Sequence, residues 1–255
     1  QGNVLAVGIH DWENSFIDNI WTYSLAEIHA GVRDCYNSLR KIVEETYGVT
    51  LKKIGSIGVS AMMHGYMALD KEGRQIAPFQ TWRNTNTQQA ADELTELFDF
   101  NIPLRWTVAH LYQRILDGEK HVEKLDYVST LSGYIHWKLT GERVIGVGDA
   151  AGMFPIDTTK ADYNQEMVDK HSFSRSGRSH SQSLAGGQHI DQTRFSYIRT
   201  TDESIFGKSA CRTFLHVCVA NHKFCACYFH FLVICFFDIN ISPAKVSVPF
   251  NISNS

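Results

Sequence analysis

Two blocks of this chain gather side chains that can recognise a ligand. In IGVSAMMHGYMALDKEGRQIAPFQTWRNTNTQQAADEL, from Ile57 to Leu94, Met63, His64 and Gly65 follow one apolar run, and Trp82 and Arg83 close another. In LSGYIHWKLTGERVIGVGDAAGMFPID, from Leu131 to Asp157, Asp149 stands in a glycine-spaced turn. An imidazole donates at one nitrogen and accepts at the other, a guanidinium only donates, and a carboxylate accepts. An indole adds a flat apolar face. Such groups at the ends of rigid strands suit a small polar ligand. Each also has a plain structural reading: His64 as a satisfied residue at a strand end, Trp82 as core, Arg83 as a solvated turn residue, Asp149 as a cap on a helix or turn.

Strands and helices that would carry these residues are legible in the spacing. Ser24 and Glu27 form a capping box before Leu25, Ile28, Val32, Tyr36, Leu39 and Val43, which recur at helical period, and Gly48 supplies a left-handed stop. Apolar runs at Ile54 to Ser60 and Tyr66 to Asp70 predict two paired strands, and Ile76 to Trp82 predicts a third. Thr85 to Phe98, Thr107 to Leu116 and Leu131 to Leu139 predict helices, the last stopped by Thr140 and Gly141. Alternating strands and helices place the chain in the α/β class.

Composition narrows the ligand. The 255 residues are 44% hydrophobic, ample for a buried core, and carry a formal charge of -3 without long charged runs. No electrostatic ground exists for a nucleic-acid partner or an anionic membrane, and a small neutral ligand fits better. The opening QGNVLAVG reads as a strand rather than a signal peptide, which makes the cytoplasm the expected address. Gly146, Gly148 and Gly152 miss the G-x-G-x-x-G spacing by one residue, and no Walker-type loop occurs.

Met62, Met63, His64 and Gly65, followed by Trp82, Arg83 and Asn84, resemble the sugar-contacting strand and turn of the FGGY carbohydrate kinases. Leu139-Thr140-Gly141, then Asp149-Ala150-Ala151 and the close at Ile156-Asp157, resemble that family's second block in order and spacing. The resemblance runs from Asn3 to Lys170. It implies an incomplete actin-like, ribonuclease-H-like ATPase domain over residues 1–170. It also implies a cytoplasmic parent enzyme that transfers a phosphoryl group from ATP, with Mg2+, to a hydroxyl of a sugar or polyol. Substrate-binding positions carried over are Met63, His64, Gly65, Trp82, Arg83 and Asp149. A homodimeric parent is compatible with the family.

Departures from the pattern set further expectations. The family's Asp-x-Gly-Thr phosphate turn has no counterpart before Val4, and its general-base Asp, in a Gly-Asp element beyond the position of Asp157, has none in the tail. Around Ala109, His110, Leu111 and Tyr112 the usual Lys-Leu-x-Trp-Leu element is replaced, which points to an atypical subgroup. The chain is therefore expected to be truncated and inactive, with no catalytic residue of its own and no ATP or Mg2+ held by itself. The alternative is a non-catalytic carbohydrate-binding or regulatory protein.

Residues 171–255 are expected to form an unassigned, irregular tail, frame-shifted or disordered. HSFSRSGRSHSQSLAGGQH lacks periodicity, and the Cys- and Phe-rich segment beyond it shows no repeating face. Cys211, His216, Cys218, His222, Cys225, Cys227 and His230 lack the paired C-x-x-C spacing of a zinc site, so no metal is expected there. The run Phe224 to Phe237 falls short of the roughly twenty residues that span a bilayer. An abrupt compositional switch near Lys170 is the trace that a shifted reading frame leaves. Reading the parent DNA in its other two frames checks this: a restored α/β pattern downstream is expected, and its absence from both frames contradicts the idea.

Overall fold

A computed structural model of the chain describes residues 4–13, 15–54 and 56–170, together with three later strands. Strands β1 (Val7–Gly8), β2 (Ser15–Ile17) and β3 (Ile20–Thr22) lead into α1 (Leu25–Tyr47). Then follow β4 (Ser56–Ser60), β5 (Met67–Leu69), α2 (Gln88–Phe98), α3 (Thr107–Leu116), a 3-10 turn at Lys120–Lys124 and β6 (Tyr127–Ser129). After these come α4 (Leu131–Thr140), β7 (Val144–Gly146), the single-turn α5 (Val147–Ala150), β8 (Ile156–Asp157) and β9 (Asp162–Tyr163). The later strands are β10 (Tyr197–Arg199), β11 (Phe214–Cys218) and β12 (Ile234–Asp238).

The capping box forms as its spacing predicts: Ser24 Oγ accepts from the Glu27 amide at 3.1 Å, and the Glu27 carboxylate accepts from the Ser24 amide at 2.9 Å. Gly48 ends α1 at φ 63°, donating to the Glu44 carbonyl. Ile28, Val32, Cys35, Leu39 and Val43 form the buried stripe of that helix, which packs on β1. Gly8 makes the packing close, because a Cβ there would stand 2.0 Å from the Cys35 carbonyl oxygen.

Two cores lie on opposite faces of a thin central layer. Met67 and Leu69 of β5, with Tyr127 of β6, join α1 and α4 in one core. Ala68 and Val128, their neighbours on the same strands, join α2, α3 and the Met153–Phe154 segment in the other. Period-2 alternation with both faces buried is what a short internal strand of an α/β layer requires.

The pairing differs from the sequence expectation. The strands within Ile54 to Ser60 and Tyr66 to Asp70 do not pair with each other: β4 pairs antiparallel with β12, and β5 pairs antiparallel with β6. Gly65, at φ 107°, turns the chain between them into a different layer. Ile76 to Trp82 is not a continuous strand either. It touches the β5 region through isolated bridges at Leu69–Gln75 and Tyr66–Gln80, because Pro78 between them has no amide to donate. The second helix starts at Gln88 rather than Thr85, since the Thr87 hydroxyl donates to the Leu104 carbonyl instead of capping α2. The other predicted helices form close to their expected bounds.

From the tail, β11 and β12 lie between β1 and β4 in a four-stranded sheet, and β10 runs parallel to β7. Cys211, His222, Cys225, Cys227 and His230, where no metal is expected, lie outside the described residues, as do the side chains of His216 and Cys218.

Candidate functional site

Three segments converge beside His64. The first is its own turn, where Gly65 adopts a conformation that side chains avoid, and where a Cβ would stand 2.3 Å from the Gln80 carbonyl oxygen. Close approach at Gly65 thus brings the Gln80–Asn84 stretch alongside. The second is the Asp149–Phe154 loop: His64 Nδ1 lies 3.3 Å from the Gly152 carbonyl. A Cβ on Gly152 would stand 2.5 Å from the Met63 carbonyl oxygen and 2.7 Å from His64 Nδ1. The third is the Arg105–Val108 stretch, the turn before α3 and its first two residues, which bonds both of the others. Gly65 donates its amide to the Arg105 carbonyl at 3.2 Å, Thr107 Oγ1 donates to the Gly65 carbonyl at 2.7 Å, and the Val108 amide donates to the Met153 carbonyl at 3.0 Å.

His64 is half-buried, and its Nε2 has no partner among the described residues. Donation from Nδ1 to Gly152 makes Nε2 the acceptor of a neutral ring. Burial holds the imidazole below its ordinary value, with the Gly152 carbonyl opposing that shift and the Arg105 charge adding to it. A neutral ring that accepts at one exposed nitrogen suits a hydroxyl donor.

The other expected positions are placed as follows. Met63 is exposed and contributes its backbone beside Gly152. Trp82 and Arg83 are both half-buried in the turn after Gln80. The Arg83 guanidinium lies 3.7 Å from the Trp21 ring centroid, and the Arg105 charge reaches His64. Asn84 locks that arrangement. Its Nδ2 donates to the Trp21 carbonyl at 2.8 Å while its Oδ1 accepts from the Trp21 amide at 3.0 Å. Tyr23, on the same hairpin, is pushed up to about 12 by burial, which the Arg83 charge partly offsets.

Asp149 sits in α5 with its Oδ2 accepting from Thr130 Oγ1 and Ser132 Oγ, both at 2.5 Å. Burial raises its carboxyl above the usual range, and the two hydroxyl bonds pull the other way. It thereby fixes the loop that carries Gly152 to the start of α4. Thr107, Arg105 and Trp21 were not found by sequence reasoning, since no motif spacing marks them. Gly152 was noticed only as part of a dinucleotide pattern that the four-residue α5 does not support.

Neither Gly152 nor Asp149 offers a seat for an ATP phosphate or Mg2+. The Gly152 surface is filled by His64, and the Asp149 oxygen Oδ2 already serves two hydroxyls. No group of three His, Cys, Asp or Glu among the described residues has metal-site geometry, and no described helix is long and apolar enough to cross a membrane.

Comparison with known proteins decides the family. Residues 1–193 match the FGGY family of carbohydrate kinases, N-terminal domain. The chain belongs to this family. It is similar to the xylulose kinase of Klebsiella pneumoniae, at 26% identity over 129 residues, which is 47% of this chain and 26% of that protein. Among solved structures it is similar to a gluconate kinase from Lactobacillus acidophilus, with TM-score 0.54 and 14% identity, covering 76% of this chain and 37% of the other. A xylulose kinase from Rhodospirillum rubrum gives TM-score 0.53 at 20% identity, over 61% of this chain and 34% of the other. These likenesses establish the fold, an α/β domain of the actin-like ATPase class. The FGGY chain spans 26–28% of the length of the curated relatives it matches.

Helix α3 buries His110 completely against Tyr66, with ring centroids 6.4 Å apart. Neither ring nitrogen has a partner among the described residues. Burial, with a smaller push from Arg114, lowers the imidazole to about 3. The unfolded chain binds a proton near 6.5 that the folded chain refuses, so stability is full above that pH and falls as pH drops from 6.5 toward 3. Urea denaturation at pH 7 and pH 5 should show the wild type losing on the order of 2 kcal/mol more than His110→Leu. Parallel losses in the two proteins would contradict the buried neutral assignment.

Proposed function

We propose that this chain is the sugar-binding portion of an FGGY carbohydrate kinase, an enzyme that moves the γ-phosphoryl group of ATP to a hydroxyl of a sugar or polyol. The observation that carries this reading is the neutral His64 ring, anchored at Nδ1 by the Gly152 carbonyl and open at Nε2, in a chain of this family. His64 accepts a hydroxyl, the backbone of Met63 and Gly65 shapes the wall beside it, and Trp82 offers an apolar face to the ring or chain of the sugar. Arg83 supports the opposite wall through Trp21, with its donors available at the rim, and Asp149 acts through the loop it anchors.

Matched relatives are named as xylulose kinases and one structural neighbour as a gluconate kinase, so D-xylulose is the first candidate and D-gluconate the second. ATP and Mg2+ serve the complete enzyme, which we assign to the cytoplasm. Phosphoryl transfer depends on positioning the phosphates and neutralising their charge. We assign this chain sugar binding without turnover.

Calorimetric titration with D-xylulose, D-gluconate and glycerol, paired with an ATP-consumption assay, tests both parts. One of the three should bind, His64→Ala should weaken it about tenfold, and no sugar-dependent ATP consumption should appear. Turnover by the purified chain would overturn the inactivity, and unchanged affinity in His64→Ala would overturn the site.

A further inference from the structure

We propose that Thr107 and Gly152 are positioning residues, which together set the orientation of His64 by joining its turn and the Asp149–Phe154 loop to the first turn of α3. The inference rests on the sugar-site reading above and adds to it the two residues that aim the imidazole, neither of which contacts the ligand.

Thr107 is fully buried, and its hydroxyl donates to the carbonyl of Gly65, the residue directly after His64. That bond fixes the peptide plane leaving the His64 turn, while the Gly65 amide on the other side of the same residue is held by the Arg105 carbonyl. With both polar groups of Gly65 engaged, one by Thr107 of α3 and one by Arg105 in the turn just before it, rotation of the 64–65 linkage is closed off at the backbone. The next residue of the helix, Val108, bonds the Met153 carbonyl, so one helical turn ties down the chain on both sides of the His64–Gly152 contact.

Gly152 supplies the complementary surface. Its carbonyl accepts from His64 Nδ1, which selects the tautomer, and its missing side chain is the space in which Nδ1 and the Met63 carbonyl sit. A methyl group there would collide with backbone as well as ring, so the imidazole would have to leave its seat. Thr107 acts from the far side of Gly65. The two residues therefore constrain the ring by independent means, a backbone bond and a steric seat.

The test uses Thr107→Val, Thr107→Ser and Gly152→Ala in the full chain, with three readouts: thermal melting, the nitrogen-15 titration of His64 assigned with His64→Gln, and calorimetric affinity for D-xylulose and D-gluconate. Thr107→Val and Gly152→Ala should each weaken sugar binding about tenfold, and Thr107→Ser should stay within about twofold of the wild type. In the two weakened variants the His64 midpoint should rise toward its ordinary value, because hydration of a released ring removes the burial that dominates its shift. If Thr107→Val and Thr107→Ser behave alike, or if the His64 titration is the same in Thr107→Val, Gly152→Ala and wild type, the positioning role is overturned. If the midpoint moves as stated but neither sugar binds the wild type, positioning stands and the sugar reading fails. If the wild type binds sugar and Thr107→Val and Gly152→Ala bind it equally well, the sugar reading stands and positioning fails. Should Thr107→Val not fold, Gly152→Ala and Thr107→Ser decide by the same measurements.

Discussion

Gly65 is held at both of its backbone polar groups by the start of α3 and the turn that leads into it, and the arrangement around His64 depends on that pair of bonds. A buried peptide group left unpaired costs about 1–3 kcal/mol, so a glycine bonded on both sides in a crowded turn has little freedom to reorient. Its positive φ and the 2.3 Å approach that a Cβ would make to Gln80 add a steric constraint to the polar one. Through this residue the β5 strand, the Gln80–Asn84 stretch and α3 share one fixed point. The Asp149–Phe154 loop is joined to the same helical turn through Val108 and Met153.

Two clamps outside this junction keep its walls in place. On one side, Asn84 bonds both polar groups of Trp21, and the Arg83 guanidinium lies over the indole, so the β2–β3 hairpin and the Trp82 turn move as one piece. On the other, Asp149 gathers the hydroxyls of Thr130 and Ser132 and pins α5 to the start of α4. Burial of that carboxylate is unfavourable for its charge, and the two short hydroxyl bonds offset part of the cost. Neither clamp contacts His64: the Asp149 clamp fixes the loop that meets its ring, and the Asn84 clamp fixes the stretch that meets Gly65.

Much of the fold was legible because local signals decide it. Ser24, Glu27 and Gly48 bracket α1 with side-chain and backbone chemistry that acts within a few residues, and the apolar stripe between them needs no knowledge of its partner. Pairing was not legible. β5 could be recognised as a buried strand, but its partner is β6, nearly sixty residues later in sequence by the Leu69–Tyr127 register, and no local pattern encodes that choice. The Ile76 to Trp82 segment was read as a strand although Pro78, a residue without an amide, cannot sustain a ladder there. The family resemblance singled out His64, Gly65 and Arg83 as candidates. Thr107 and Gly152 carry no signature in sequence, because their roles come from backbone carbonyls that only the folded chain brings within reach.

The central claim is that a ligand rich in hydroxyls docks where these segments meet. Hydrogen exchange of backbone amides with and without saturating D-xylulose or D-gluconate addresses it directly. The account predicts slowed exchange at residues 62–66, 80–84, 105–108 and 149–154 together, with little change on the exposed face of α1. Protection confined to any other surface, or exchange unaltered at all four segments by a sugar that binds, would contradict it.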